Sequence, residues 1–284
     1  MRKIGFIGAG KVGTALGMYF QENGYPVTGY YSRTSDSAKT SAEITGTSAY
    51  ETIEDIAADC DVLFLSVPDA AIKSVSGQLA AAAHDLTGKW IIHLSGAETS
   101  DIFSDLRGAY GFSFHPAMAI SDPEKACMEF PSAIFTIEGR SQDETQKAKA
   151  FFEKAHLTVL EIEKSKKPLY HLACAVSSNL VCALYSAAVS ILMDAGFDNE
   201  QAVRIINPLF LANASALAAK GPVQALTGPV ERCDLGTVQK HLSVIPGEFR
   251  EMYILLSQQL TDIAEQKYPD RNYKELREFL EKEK

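Results

Sequence analysis

The stretch Ile4-Gly5-Phe6-Ile7-Gly8-Ala9-Gly10-Lys11-Val12-Gly13 decides how the first half of the chain folds. Ile4, Phe6 and Ile7 suit a parallel strand buried on both faces, and Thr14-Ala15-Leu16-Gly17-Met18-Tyr19-Phe20 suits the helix that follows. Between them stands Gly8-x-Gly10-x-x-Gly13. In a strand–turn–helix setting Gly8 permits the tight turn, Gly10 lets the backbone approach a pyrophosphate, and Gly13 lets the helix pack closely on the strand. The diphosphate then rests on the free N–H groups and positive dipole end of the helix. Lys11 and Val12, inside the motif, are candidate cofactor contacts. The spacing alone is weak, because glycine-rich turns recur by chance. The strand before it, the helix after it and its place at the start of the chain carry the reading.

The next strand pattern, Val27-Thr28-Gly29-Tyr30-Tyr31, runs into Ser32-Arg33-Thr34. A dinucleotide without a 2′-phosphate usually meets an Asp or Glu at this point. Here a guanidinium stands between two hydroxyls. An acid would repel a 2′-phosphate, whereas Arg pairs with it in a fork and Ser or Thr donates to it. The residues point to NADP(H), with Ser32, Arg33 and Thr34 at the phosphate. A solvated Arg in a turn is the plainer alternative.

With 284 residues, 46% of them hydrophobic, the chain is long enough for one large or two medium domains. Its net charge of −9 argues against a polyanion-binding surface, so no nucleic-acid partner is expected. Cys60, Cys127, Cys174, Cys182 and Cys233 form no CxxC pair, which fits reduced thiols in the cytoplasm better than a disulfide framework. No signal peptide precedes the first strand, and no metal site is expected. Residues 172–193 carry no charge and are long enough to span a bilayer. Ser177, Ser178, Asn179, Ser186 and Ser190 interrupt them, and the flanks lack a strong basic bias. The expectation is a central helix buried among other helices, not a membrane span.

Apolar runs at 61–68, 90–94 and 111–114 alternate with helical patterns at 70–83 and 100–106. Runs at 133–137 and 158–162 add strands around a helix at 142–155. This is an α/β pattern, a Rossmann-type doubly wound parallel sheet with an extension. After Glu163 the pattern is helical only. Lys164-Ser165-Lys166-Lys167-Pro168 reads as a polar hinge, with Pro168 opening a helix over 168–195, roughly 40 Å long. Further helices fit 199–220, 236–244 and 246–268, before a charged tail at 273–284. The organisation is a dinucleotide-binding domain at 1–164 and an all-helical domain at 165–284. The charge-free helix has more apolar surface than its own domain can cover, which implies a homodimer through the C-terminal helices.

In a doubly wound sheet, ligands lie beyond the carboxyl ends of the strands. Val67 and Pro68, after the 61–68 run, are candidates for lining the cofactor crevice. Ser95, Gly96 and His115 are candidates for contacting the nicotinamide ribose, the carboxamide or the substrate. His93, in mid-strand, reads better as a core histidine bonded to backbone. On the long helix His171, Cys174, Ala175, Ser178 and Cys182 share one face by their three–four spacing, and Asn179 and Lys167 flank it. Hydride transfer to a carbonyl needs a donor for the developing oxyanion. His171 suits that role because its ordinary pKa lies near neutrality. Asn179 would polarise the carbonyl, and Lys167 is the rival acid. Arg232, in Thr227-Gly228-Pro229-Val230-Glu231-Arg232-Cys233-Asp234, would clamp a substrate carboxylate or pair with Asp234.

Together these segments resemble the family of Rossmann-like proteins with a DUF2520 C-terminal domain. That family is a branch of the 6-phosphogluconate dehydrogenase and pyrroline-5-carboxylate reductase superfamily. The resemblance rests on Gly8 to Gly13, Asp61 to Asp69, His93-Leu94-Ser95-Gly96-Ala97, Phe114-His115-Pro116, Tyr170-His171 with Ser178-Asn179, and Leu226 to Asp234 with His241. Cys233 stands where the family usually has glycine, and Ala117-Met118-Ala119-Ile120 departs from the usual residues after His-Pro. The resemblance implies an NADP-dependent oxidoreductase. Some members act as PanG-type ketopantoate reductases, so reduction of a small 2-oxo acid is the leading expectation. A cyclic-imine reductase and a non-catalytic NADP-binding regulatory dimer are the alternatives.

Overall fold

The apolar runs become one eight-stranded sheet in the computed structural model, which describes residues 1–83 and 85–284. The strands are β1 (Ile4–Ile7), β2 (Val27–Tyr31), β3 (Ser48–Tyr50), β4 (Val62–Leu65), β5 (Trp90–His93), β6 (Tyr110–Pro116), β7 (Ile134–Gly139) and β8 (Thr158–Glu161). Their order across the sheet is β3-β2-β1-β4-β5-β6-β7-β8, with β6–β7 antiparallel and the other pairs parallel. The chain winds outward from β1 to β3 and then crosses back to β4. A crevice therefore opens at the carboxyl ends of β1 and β4. β1, β4 and β5 are buried at every residue, which is why their sequences show no polar alternation.

Six helices cover this part of the sheet: α1 (Lys11–Glu22), α2 (Ser35–Thr45), α3 (Ile53–Asp59), α4 (Asp69–Ala82), α5 (Pro123–Glu129) and α6 (Gln142–Lys154). Under α1, α2, α5 and α6 lies an aromatic core. Phe6 stacks on both Tyr30 and Phe64 at 5.2 Å, and Phe152 stacks on Phe114 at 4.1 Å. Under α3 and α4 the core is aliphatic, with Ile56, Leu63, Leu65, Ile72, Leu79 and Ile91. Each such buried side chain contributes about 1.5–3 kcal/mol. Residues 100–106 do not form the expected crossover helix. They give a single 3₁₀ turn, Ser100–Phe103.

The chain divides into two compact units, Met1–Ser178 and Asn179–Lys284. The helix-only pattern begins at 164, but α7 (Lys167–Ser177) belongs to the first unit. It does so because Lys167 and Tyr170 hydrogen-bond to the ends of β5 and β6. The helix expected over 168–195 is not continuous. Ser178 leaves helical values (φ −127°, ψ −74°), and a new helix, α8 (Asn179–Asp194), follows.

The second unit adds α9 (Asn199–Ala225), α10 (Leu235–Val244), α11 (Gly247–Lys267) and α12 (Lys274–Lys282). Asp198 and Gln201 form a reciprocal capping box at the start of α9, and Gly221 at φ +73° kinks its end. Val238, Leu242, Ile254, Tyr273, Leu276 and Leu280 make this unit's core. Two helical stretches, Lys164–Asp194 and Asn199–Ala225, are long and apolar enough to cross a membrane by length and composition. The charge-free segment is not the buried central helix its sequence suggests. Leu172, Val176, Leu180 and Leu184 are all exposed.

Candidate active site

Two groups of residues in the first unit sit at the carboxyl ends of the sheet. The first surrounds the glycine-rich turn. Gly8 has φ +105°, and a Cβ there would lie 2.4 Å from the Ser66 carbonyl oxygen. A Cβ on Gly13 would lie 2.3 Å from Ser66 Oγ, which donates to the Gly8 carbonyl at 2.7 Å. Ser66, which sequence reasoning assigned no role, thus fixes the spacing between β4 and the turn. Gly10 faces open space, and no side chain caps the first N–H groups of α1. Gly8, Gly10, Ser32, Arg33, Thr34, Val67 and Pro68 all border one cleft of about 430 Å³. Of the remaining motif residues, Lys11 is exposed, Val12 packs on the core and Gly13 is buried. Arg33 is exposed at the cleft rim, immediately before α2.

The second group lies beyond β5 and β6. Lys167, in the first turn of α7 beside Pro168, has no exposed surface. Its ammonium donates to Ser113 Oγ at 2.6 Å and to the Ser95 carbonyl at 3.1 Å. Ser113 Oγ in turn donates to the same carbonyl at 3.1 Å. Burial pulls the Lys167 amine down to about 8, while Glu138, Asp69 and Glu98 oppose the fall.

Ser95 is itself buried. Its hydroxyl donates to Asp69 Oδ2 at 2.6 Å and accepts from the N–H groups of Ala97 and Glu98. It braces the loop after β5. His93 is a fully buried core histidine whose Nδ1 accepts from the Ser95 N–H at 3.2 Å. Burial lowers it to about 4.

Gly96 explains how the histidines gather. A Cβ there would stand 2.6 Å from His171 Nδ1 and 2.9 Å from His115 Nε2, so only glycine lets both rings close on the loop. The rings meet edge to face with centroids 5.9 Å apart. His115 Nδ1 lies 2.8 Å from the Tyr170 hydroxyl. Burial first, then the charges of Lys167 and His171, lower His115 to about 4. His171 is half-buried, and its Nδ1 is shielded from solvent without a hydrogen-bond partner.

The structure brings Lys167, His115, His171, Ser95 and Gly96 together. Ser113, Tyr170 and Asp69 complete the group. Ser178 Oγ, by contrast, donates to the Cys174 carbonyl at 2.7 Å, closing the broken end of α7. Asn179 is exposed at the first turn of α8, and Arg232 is exposed in the loop before α10; both belong to the second unit. Asp234 caps α10 through the Thr237 N–H and hydroxyl, so its carboxylate is committed to that helix. Cys233 adopts φ +58°, a left-handed conformation that favours glycine. Met118 and Ile120, in the other departing segment, pack against the core.

Residues 1–116 match the model of the Rossmann-like domain, and residues 133–260 match the domain of unknown function DUF2520. No curated protein matches the chain. Among solved structures, protein TM1727 from Thermotoga maritima is similar at 26% identity and TM-score 0.74, over 93% of this chain and 98% of that one. A candidate NADP oxidoreductase, BF3122 from Bacteroides fragilis, is similar at 20% identity and TM-score 0.73, over 92% and 98%. A reductive aminase from Aspergillus terreus, solved with NADPH and ethyl-5-oxohexanoate, is similar at 20% identity and TM-score 0.63, over 98% and 99%.

Proposed function

We propose that the protein is an NADP(H)-dependent reductase of a small 2-oxo acid, with 2-dehydropantoate (ketopantoate), reduced to pantoate, as the first substrate to test. The observation that carries this reading is the buried Lys167 ammonium on Ser113 and Ser95, in the same unit as a cleft shaped for a dinucleotide. The cleft residues fit the group. Gly8 and Gly10 leave room for a diphosphate against the uncapped start of α1, and Ser32, Arg33 and Thr34 offer donors to a 2′-phosphate. When bound, the reduced nicotinamide supplies the hydride.

Negative charge then builds on the substrate oxygen and must be met by the protein. Lys167 supplies positive charge from beneath the loop, where a dry environment makes it effective. His171, half-exposed one turn later on α7, gives the proton. His115 stays neutral at physiological pH. Its Nδ1 lies against the Tyr170 hydroxyl and its Nε2 faces the loop, so the neutral ring is a polar contact and not the acid. Arg232 and Asn179 are the candidates for the substrate carboxylate and carbonyl.

The reductive aminase neighbour is named for C=N chemistry, which makes imine reduction the second reading. The buried ammonium weighs against it. A cationic iminium is repelled by Lys167, whereas a carbonyl gaining negative charge is attracted. Following NADPH absorbance against a panel of 2-oxo acids and cyclic imines tests the choice. Turnover of 2-oxo acids is the expected result, and turnover of imines alone overturns it.

The exposed apolar side chains of the second unit, among them Leu209 (65% exposed) and Leu211 (63%), support a homodimer through α8 and α9. The five free cysteines support a cytoplasmic location.

A further inference from the structure

Across β5, β6 and β7 the register sets His93 opposite Ser113 and Ser113 opposite Glu138. Opposed residues of paired strands share a face, with Cβ atoms about 4.5–5.5 Å apart. Three polar side chains thus form a row across the sheet. All three are buried, Glu138 at 2% exposure. The middle member, Ser113, holds the Lys167 ammonium at 2.6 Å.

Glu138 also grips the loop that carries the amine. Its two carboxylate oxygens accept from the Ser100 N–H at 2.5 Å and the Ser100 hydroxyl at 2.8 Å. Both partners donate, which suits an acceptor-only carboxylate. The loop between β5 and Ser100 is therefore held at its start, where Lys167 sits on the Ser95 carbonyl, and at its end by Glu138.

We propose that Glu138 is a positioning residue for the buried amine: from the neighbouring strand it keeps the Lys167 ammonium charged, and through Ser100 it fixes the loop on which that ammonium rests. The importance of this charge for turnover rests on the reductase reading above; the pairing itself does not.

The other charged and titratable groups facing Lys167 are Asp69 at the start of α4, Glu98 in the loop, His93 on β5 and His115 on β6. Lys164, before α7, also acts on Glu138. Glu138 helps to hold the Lys167 proton. Asp69 and Glu98 are exposed, so water screens them. Burial in turn pushes the Glu138 carboxyl up, while Ser100, Lys167 and Lys164 pull it back. Each group thus steadies the other's charge.

The test is a pH titration of the full-length protein labelled with ¹⁵N and ¹³C lysine, the Lys167 signal being assigned by its loss in Lys167→Met. The native midpoint is expected near 8. Glu138→Gln should lower it by about one unit, the low end of the effect of a close opposite charge. Glu138→Asp, which keeps the charge, should restore most of that shift. An unchanged Lys167 midpoint in folded Glu138→Gln overturns the proposal. Should Glu138→Gln fail to fold, Lys167→Met with ¹³C-labelled glutamate reads the same coupling from the other side. The Glu138 midpoint must then rise, and no change overturns the pairing. A Lys167 midpoint that moves while the pH profile of NADPH oxidation does not supports the pairing and refutes the role of Lys167 in turnover.

Discussion

The reduction should be governed on its alkaline side by Lys167, and the structure gives the size of the effect. Its amine falls from 10.5 to about 8 because the side chain is buried. That fall corresponds to about 3 kcal/mol taken from the charged form, at 1.36 kcal/mol for each unit. At pH 7 roughly ten amines in eleven remain charged, and at pH 9 the ratio is reversed. Turnover at saturating 2-oxo acid and NADPH should therefore carry an alkaline limb with a midpoint near 8 from Lys167, beside the limb of the proton donor itself. Lys167→Met should lower kcat by ~10²–10³, the cost of removing one preorganised charge stabiliser, and should abolish that limb. His171→Ala should lower kcat by ~10²–10⁴, the span for general acid catalysis, and keep the midpoint, because the charge beneath the loop is intact. Stability carries the same signature. The folded value lies below the unfolded one, so the charge opposes folding at neutral pH, and stability should rise as the pH passes from about 8 to 10.5. The assay is initial-rate NADPH oxidation from pH 6 to 10, with buffer overlap. A native profile flat to pH 10, or a midpoint near 8 that survives in Lys167→Met, refutes the reasoning.

Arg33→Ala should weaken NADPH binding by about 1.5–3 kcal/mol, the range for a hydrogen bond to a charged group, and leave NADH little changed. Fluorescence titration of both cofactors checks this, and equal native constants would sink the NADP assignment. Cys233→Gly should relieve the cost of a left-handed side-chain-bearing residue, about 1–2 kcal/mol before glycine's own entropy is set against it. A rise of a few degrees in melting temperature is the expected result; a fall means that the contact from Cys233 Sγ to the Asn272 carbonyl outweighs the strain. Light scattering at micromolar concentration should give twice the chain mass. Leu209→Asp combined with Leu211→Asp should give the monomer, and a native monomer refutes the covered-face argument.

The parts of the fold that were legible share one property: each is a long apolar run or ends at a strong punctuation residue. β1, β2 and β5 lie within a residue of where their buried runs place them, β4 ends three residues short of its run, and α10 and α11 lie within a residue. The elements that escaped notice carry weaker signals. β3 is three residues at the sheet edge, two of them exposed, so it has no apolar run to betray it. The inward face of α2 is Ala38, Ser41, Ala42 and Thr45, small and half polar, which no hydrophobic period reveals. The break at Ser178 lacks both glycine and proline, and the uncharged sequence runs straight through it.

The site was half legible for a more instructive reason. Motif residues that meet a ligand through backbone, such as Gly8 and Gly10, announce themselves by the conformation they permit. Lys167 does not. It stands in a hinge with Lys164 and Lys166, and only the single 3₁₀ turn before α7 sends it inward while they stay at the surface. Ser113 and Glu138 had a readable signal that was missed. Each is a polar residue in a strand whose neighbours are apolar, and a buried polar group needs a partner. The run at 133–137 stopped one residue short of Glu138. Even with both in hand, sequence cannot pair them, because their adjacency depends on β7 running antiparallel to β6. A parallel β7 would shift that register, and Glu138 would then have no reason to face Ser113 or to support the ammonium that Ser113 holds. The direction of one strand thus determines whether the buried lysine has a counter-charge.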